Sequence, residues 1–412
     1  MHILLIHQAF AAIEEPGGTR HHELARFLAG KGHRVTVIAS PVSYLTGSSA
    51  HSKNSDTSSA TLDQNITILR AYTYQALHKS FVHRVFAFFS FMVSSFFLGL
   101  RVSHVDLVWG TSPPIFQGWT AWMLARLKRV PFLFEVRDLW PEFAIAVGVL
   151  KNPTLIKMSL WLEKFLYRNA DRIVVNSPGF IDHVSSRGAR KVELIPNGAD
   201  PGMFASADLG KSFREEHLLE NSFVALYAGA HGMSNDLGVV LDAAKILQAT
   251  PAIKIVFLGD GKEKASLVAQ AEAMSLANVL FLPPVPKSGM PSVLAGADAC
   301  IAILKPLDAY KTTYPNKVFD YMASARPVVL VIDGVIREVV ESAGCGIFVP
   351  PGDPIKLAET ITILVNDRDR SREMGLAGRR YLEMKFNRTA IAGKLLMLME
   401  EMVTGYSVKG NQ

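Results

Sequence analysis

Thirteen short apolar runs alternate with helix-like stretches along this chain, and that alternation constrains the fold more than any other feature. ILLIH, RVTVIAS, NITILRA, DLVWGTS, PFLFEVRD, RIVVNS and VELIPNG come first; FVALYAGA, IKIVFLGDG, VLFLPPV, ACIAIL, PVVLVI and GIFVPPG follow. The runs are nearly continuous in apolar residues, so both faces of each strand are buried, as in a parallel sheet with helices on either side. Between Pro196 and Asn221 the pattern breaks into PNGADPGMFASADLG, rich in Gly, Pro, Asn and Asp, and then restarts. The expectation is an α/β protein of two facing Rossmann-like, doubly wound domains with an interdomain cleft. Residues 1–200 form the first domain, 201–221 a linker and 222–385 the second domain; 386–412 form a helix returning toward the first. Ligands of such sheets sit outside the carboxyl ends of the strands, so functional residues should cluster there.

Composition narrows the class. A chain of 412 residues can bury two cores without staples, and its two cysteines, Cys300 and Cys345, belong to no CxxC or Cys/His cluster. Disulfide scaffolds and structural zinc are thereby disfavoured, and a cytoplasmic setting fits best. The opening MHILLIHQAF has no basic n-region and reads as a first buried strand. Up to Asp200 there are 21 Lys and Arg against 14 Asp and Glu, and 22 against 23 afterwards. The first half therefore faces an anionic partner, either nucleic acid or the negative leaflet of a membrane.

Between these two, the segment FVHRVFAFFSFMVSSFFLGLR, residues 81–101, decides. It carries seven phenylalanines and is flanked by Lys79, Arg84 and Arg101. With roughly fifteen uninterrupted apolar residues it falls short of the ~20 that a span requires. A helix there would place Ala87, Ser90, Ser94 and Arg101 on one narrow stripe and Phe elsewhere. Burial against the first sheet is one use for such a helix; the basic flanks favour interfacial docking through Phe88, Phe89, Met92 and Phe96. The polar stretch Ser48–Thr61 reads as a mobile loop without chemistry of its own.

Four motifs carry candidate chemistry. Gly17 and Gly18 precede a helix whose free amides suit a diphosphate, though the G-x-G-x-x-G dinucleotide fingerprint is absent. Glu135-Val136-Arg137-Asp138-Leu139-Trp140-Pro141 places ionisable groups at a strand's carboxyl end, where Arg137 and Asp138 suit the orientation of sugar hydroxyls. Gly229, His231 and Gly232 follow the first strand of the second domain and offer backbone and a ring donor to phosphate. Finally, Tyr314-Pro315-Asn316-Lys317-Val318-Phe319-Asp320 starts a helix. Lys317 and Asp320 share one of its faces, the lysine suited to a leaving phosphate and the aspartate to ribose hydroxyls.

GGTRHHELARFLAGKGHRVTVIAS, RDLWP, IPNGAD, YAGAHG, FLGDGKEK and YPNKVFDYMASARPVV, in this order, resemble the retaining family 4 glycosyltransferases of GT-B fold. Within them the similarity is nearest to bacterial O-antigen and capsule transferases of the N-acetyl-fucosaminyl type. The resemblance implies a UDP-sugar donor held by the second domain through Gly229, His231, Gly232, Pro284, Asn316, Lys317 and Asp320, with Gly17 and Gly18 contributing amides. It implies a lipid-linked acceptor, on undecaprenyl diphosphate, held by the first through His7, Arg20, Glu135, Arg137 and Asp138. Arg137, Asp138 and Lys317 would be the catalytic residues, with no metal or other cofactor. Asp320 takes the place of the second glutamate of the family's E-x7-E signature, and the first falls at Thr312, a departure that bears on the donor sugar. The implied setting is the cytoplasmic leaflet of the inner membrane, with no nucleic-acid partner. A nucleotide-sugar epimerase of the same architecture leaves the apolar helix without a purpose. A non-catalytic sugar-binding scaffold draws on Thr312.

Overall fold

The computed structural model describes residues 1–15, 17–41, 60–63, 65–74, 81–204 and 209–410. Most of the polar stretch Ser48–Thr61 lies outside the described residues. The chain divides into two compact units, residues 1–196 with 389–412, and residues 197–388.

In the first unit the strands are β1 (His2–Ile6), β2 (Arg34–Ala39), β3 (Ala60–Asp63), β4 (Ile66–Arg70), β5 (Leu107–Ser112), β6 (Phe132–Val136), β7 (Arg172–Val175) and β8 (Val192–Leu194). They form one sheet in the order β3-β4-β2-β1-β5-β6-β7-β8. Every pairing is parallel except β3 with β4, an antiparallel edge not foreseen from the sequence. The order reverses between β1 and β5, the switch point at which such sheets bind ligands.

Helix α1 (Arg20–Gly30) contributes Leu24, Ala25 and Leu28 to a buried cluster with Ile3, Leu5, Val35 and Val37. Ile391, Leu395 and Met399 of the closing helix Arg388–Gly410 enter that same cluster, so the last helix is part of the first unit's core. Helices α2 (Phe81–Leu100) and α3 (Phe116–Lys128) pack against each other. A Cβ on Gly99 would lie 2.4 Å from Leu124 of α3 and 3.4 Å from Ile38 of β2, so glycine permits that approach.

α2 departs from the expected arrangement. Its inward stripe is Ala87, Phe91, Ser95 and Gly99, whereas Phe86, Phe89, Val93, Phe97 and Leu100 are exposed. Of the four residues assigned to membrane contact, only Phe89 lies on the exposed stripe. Phe88 rests near Phe116, with Met92 and Phe96 partly buried. The Ser90 hydroxyl accepts from the Tyr74 amide (2.9 Å) and the Ser94 hydroxyl donates to the Tyr72 carbonyl (2.6 Å). Among the described residues, no helix is long and apolar enough to cross a membrane.

The second unit carries β9 (Phe223–Ala228), β10 (Ile253–Leu258), β11 (Val279–Leu282), β12 (Ala299–Ile303), β13 (Val328–Val331) and β14 (Gly346–Phe348), all parallel, in the order β11-β10-β9-β12-β13-β14. Along β9, Val224, Leu226 and Ala228 enter one buried cluster; Phe223, Ala225 and Tyr227 enter the other. Two buried faces explain why these strands read as unbroken apolar runs. Residues 201–221 are not a free linker. Helix Leu209–Glu216 within them packs on helix Met290–Gly296, with Gly296 making room for Phe213.

Candidate active site

At the switch point of the first unit, polar side chains gather above β1, β5 and β6. The Gln117 amide nitrogen donates to Thr111 Oγ1 (2.9 Å), and Thr111 Oγ1 lies 2.8 Å from His7 Nδ1. Arg137 approaches His7 Nε2 at 3.3 Å. A guanidinium only donates, so Nε2 accepts and the His7 proton resides on Nδ1, directed at Thr111. Burial, then His21 and Arg137, lower His7 well below the ordinary histidine value, which keeps the ring neutral. Asp138 follows Arg137 on the same strand end and is partly buried. Burial raises its carboxyl to about 7 against the pull of Arg137, a value suited to proton exchange near neutrality.

Beneath this layer lies a strut. Glu135 accepts from Arg20 Nε at 3.0 Å and from His21 Nε2 at 2.7 Å, and Arg20 also donates to the carbonyls of Pro196 (2.7 Å) and Ile195 (2.8 Å). Burial alone would raise the Glu135 carboxyl, but His21 and Arg20 hold it well below the usual range. The same burial lowers His21 to about 4 despite Glu135, so Arg20 supplies the compensating charge and His21 a neutral donor. Arg20 and Glu135, expected to contact an acceptor, are 6% and 1% exposed with their polar atoms turned inward; they brace the strand end instead.

In the second unit the loops after β9 and β10 lie in close contact. A Cβ on Gly259 would fall 1.9 Å from the Gly229 carbonyl oxygen, and one on Gly261 2.5 Å from that of His231. Both glycines have φ near +150°, where side chains are strained. Helix Asn316–Ala323 is fastened over this corner by the Tyr321 hydroxyl, which meets the Ala228 amide (3.2 Å) and the Ile301 carbonyl (3.3 Å). One turn earlier, Lys317 Nζ stands 3.9 Å above the Tyr227 ring, and a Cβ on Gly229 would come within 2.8 Å of it. That ammonium is buried without a hydrogen-bond partner among the described residues. Burial lowers it to about 7.

Not every residue expected here faces a ligand. His231 is fully buried beside Tyr227, Phe257 and Phe281, and burial followed by Lys264 lowers it to about 4; it is a neutral packing ring rather than a presented donor. The Asn316 side-chain oxygen accepts from Arg388 (3.1 Å) and so ties the helix start to the end of the unit. Asp320 shares its helix face with Lys317 but pairs with Lys287 at 2.6 Å. Gly232 lies in the loop after β9, Pro284 is partly buried after β11, and Thr312 closes a 3-10 turn with its hydroxyl on the Ala309 carbonyl (2.7 Å). Gly17 and Gly18 lead into α1, whose N-cap Thr19 makes no side-chain cap. Sequence reasoning missed Thr111, Gln117, Tyr227, Tyr321 and Lys287. For Lys287 the available signal was a lone cation directly after the PPVP loop.

Two doubly wound parallel sheets, each with polar groups at its carboxyl edge, define the class: this is a protein of GT-B fold. Solved structures agree over nearly the whole chain. It superposes on sucrose-phosphate synthase from Thermosynechococcus elongatus with a TM-score of 0.78 at 19% identity, covering 98% of this chain and 99% of that one. On Anabaena HepE in complex with UDP-glucose the TM-score is 0.73 at 18% identity, covering 97% and 100%. Residues 17–198 match the Glycosyl transferase 4-like domain and residues 222–367 match Glycosyl transferases group 1, so the chain belongs to the family 4 glycosyltransferases. A protein named as a colanic acid biosynthesis glycosyl transferase, WcaI of Escherichia coli K12, is 25% identical over 73% of this chain and 76% of its own length.

Proposed function

We propose that this glycosyltransferase moves a sugar, with retention, from a UDP-sugar to a lipid-linked saccharide during O-antigen or capsule synthesis. In this reading the sugar is an N-acetylated deoxyhexose of the N-acetyl-fucosamine kind and the acceptor carrier is undecaprenyl diphosphate. The enzyme works at the cytoplasmic leaflet of the inner membrane, without a metal. The observation that carries the reading is Lys317, a buried ammonium with no hydrogen-bond partner among the described residues, held over a glycine corner. A charge kept in that condition is costly unless an anion arrives, and the diphosphate of a nucleotide sugar supplies one. WcaI, named for polysaccharide synthesis, and HepE, solved with UDP-glucose, support the substrate class.

The acceptor hydroxyl attacks the anomeric carbon as the bond to the diphosphate breaks. The hydroxyl proton passes to the departing phosphate oxygen on the same face, and no enzyme nucleophile is needed. Lys317 neutralises the charge developing on that oxygen, and the backbone at Gly229 lets the phosphate approach. Arg137, steadied by neutral His7, and Asp138 orient sugar hydroxyls. Asp320, fixed by Lys287, meets the ribose.

Calorimetric titration with UDP, GDP and dTDP tests the donor site. Binding of UDP that Lys317→Met abolishes is expected, followed by transfer from UDP-sugars to a prenyl-diphosphate saccharide. Absence of binding by every nucleoside diphosphate would sink the reading.

A further inference from the structure

The proposed function places the enzyme at a bilayer, where the exposed phenylalanines of α2 can dock; a second helix of the first unit presents a surface of the same kind. Helix Pro153–Asn169 exposes Leu155, Met158 and Trp161, with Met158 60% and Trp161 59% exposed. α3 links the two helices through its own aromatic rings. Phe116 lies 5.2 Å from Phe89 on α2, and Trp119, one turn along α3, lies 6.3 Å from Trp161 and 5.0 Å from Phe165. α3 thus carries aromatic contacts to both neighbouring helices, to α2 through Phe116 and to helix Pro153–Asn169 through Trp119.

On the three helices themselves the exposed charges have one sign. α2 and α3 contain no acidic residue, and the single one on helix Pro153–Asn169, Glu163, is fully buried against His183 (2.8 Å) and Arg187 (3.0 Å). Arg126, Arg129, Lys157, Lys164 and Arg168 are exposed. Large apolar side chains on helices whose exposed charges are all cationic suit an anionic lipid surface: the rings enter the headgroup boundary and the cations meet lipid phosphates. We infer that helix Pro153–Asn169 is a second membrane anchor, with Met158 and Trp161 inserting and Lys157 and Lys164 contacting anionic headgroups. This rests on the bilayer setting proposed above, not on the donor or on the transfer chemistry.

The test is sedimentation of the full chain with vesicles of phosphatidylglycerol and phosphatidylcholine, compared with phosphatidylcholine alone. Wild type is expected to pellet with the anionic vesicles. Lys157→Gln with Lys164→Gln should weaken partitioning roughly 25-fold, at about fivefold for each cation. Met158→Ser with Trp161→Ser should weaken binding sharply while leaving UDP titration and turnover of a short, water-soluble acceptor unchanged. All four positions are exposed, so these variants fold, and the UDP titration checks it. Wild type that ignores anionic vesicles, or a Met158/Trp161 variant that binds them as well as wild type, overturns the inference without touching the donor reading. Loss of turnover on the soluble acceptor with vesicle binding intact assigns the ridge to acceptor recognition and overturns it too. Dimers dissolved by the variant, with no vesicle binding, assign it to a second copy of the chain.

Discussion

Replacing Lys317 with methionine is expected to make the protein more stable and unable to hold its donor. The fall of the ammonium from 10.5 to about 7 corresponds, at 1.36 kcal/mol per tenfold change in proton affinity, to about 5 kcal/mol of unfavourable burial. The Tyr227 ring 3.9 Å beneath it returns about 2 kcal/mol as a cation–π contact that methionine forfeits. A net gain of about 3 kcal/mol at pH 7 follows, near 10 °C in the melting transition of a unit this size. The pH dependence has a definite sign. Because the folded state lowers this group, the unfolded chain binds more protons between pH 7 and 10.5, so wild-type stability should rise with pH across that window. Lys317→Met should lack that rise. Binding of a diphosphate should restore the ammonium, so UDP titration at pH 8 should take up a proton in wild type alone. Melting curves from pH 6 to 9.5, with calorimetry in buffers of different ionisation enthalpy, measure all three effects. A Lys317→Met protein less stable than wild type at pH 7, or one that binds UDP unchanged, refutes the reasoning.

Three further outcomes are expected. Glu135→Gln leaves Arg20 buried and uncompensated and should cost about 3–5 kcal/mol in denaturant unfolding; Glu135's own contribution is full above pH 4.5 and is lost only in stronger acid, since its folded carboxyl is held low. The pH profile of kcat/KM should break near 7 where Asp138 ionises, and Asp138→Asn should remove that limb while the other limb persists. Gly259→Ala drives a Cβ into the Gly229 carbonyl at positive φ and should cost more than about 3 kcal/mol. It should also weaken UDP at least tenfold, whereas Gly18→Ala, with open space around it, should change melting by less than about 1 kcal/mol.

The strands were legible in the sequence because burial on both faces writes itself as unbroken apolar runs, and all thirteen runs form strands. The edge strand β3, with polar residues and a short span, leaves no such mark. The site was legible by position, since Gly229, Arg137, Asp138 and Lys317 do stand at strand ends or over them. It was not legible by partner. Nothing in the sequence tells that Arg20 reaches 115 positions along to Glu135, or that Asp320 turns from its helix neighbour to Lys287. α2 shows the same limit: its composition suggested interfacial docking, but which stripe faces outward depended on Gly99 and Leu124 fitting together, a tertiary fact.

The closing helix imposes an order on synthesis. Ile391, Leu395 and Met399 complete a core whose other members lie mostly between Ile3 and Val174, so a ribosome must deliver nearly the whole chain before that core can close. The second unit, whose residues 197–388 are contiguous, can fold first, although it is translated later than most of its neighbour. A nascent or proteolysed chain stopped at residue 388 would carry a finished second unit and a first unit whose core lacks Ile391, Leu395 and Met399, which is a substrate for chaperones rather than an enzyme.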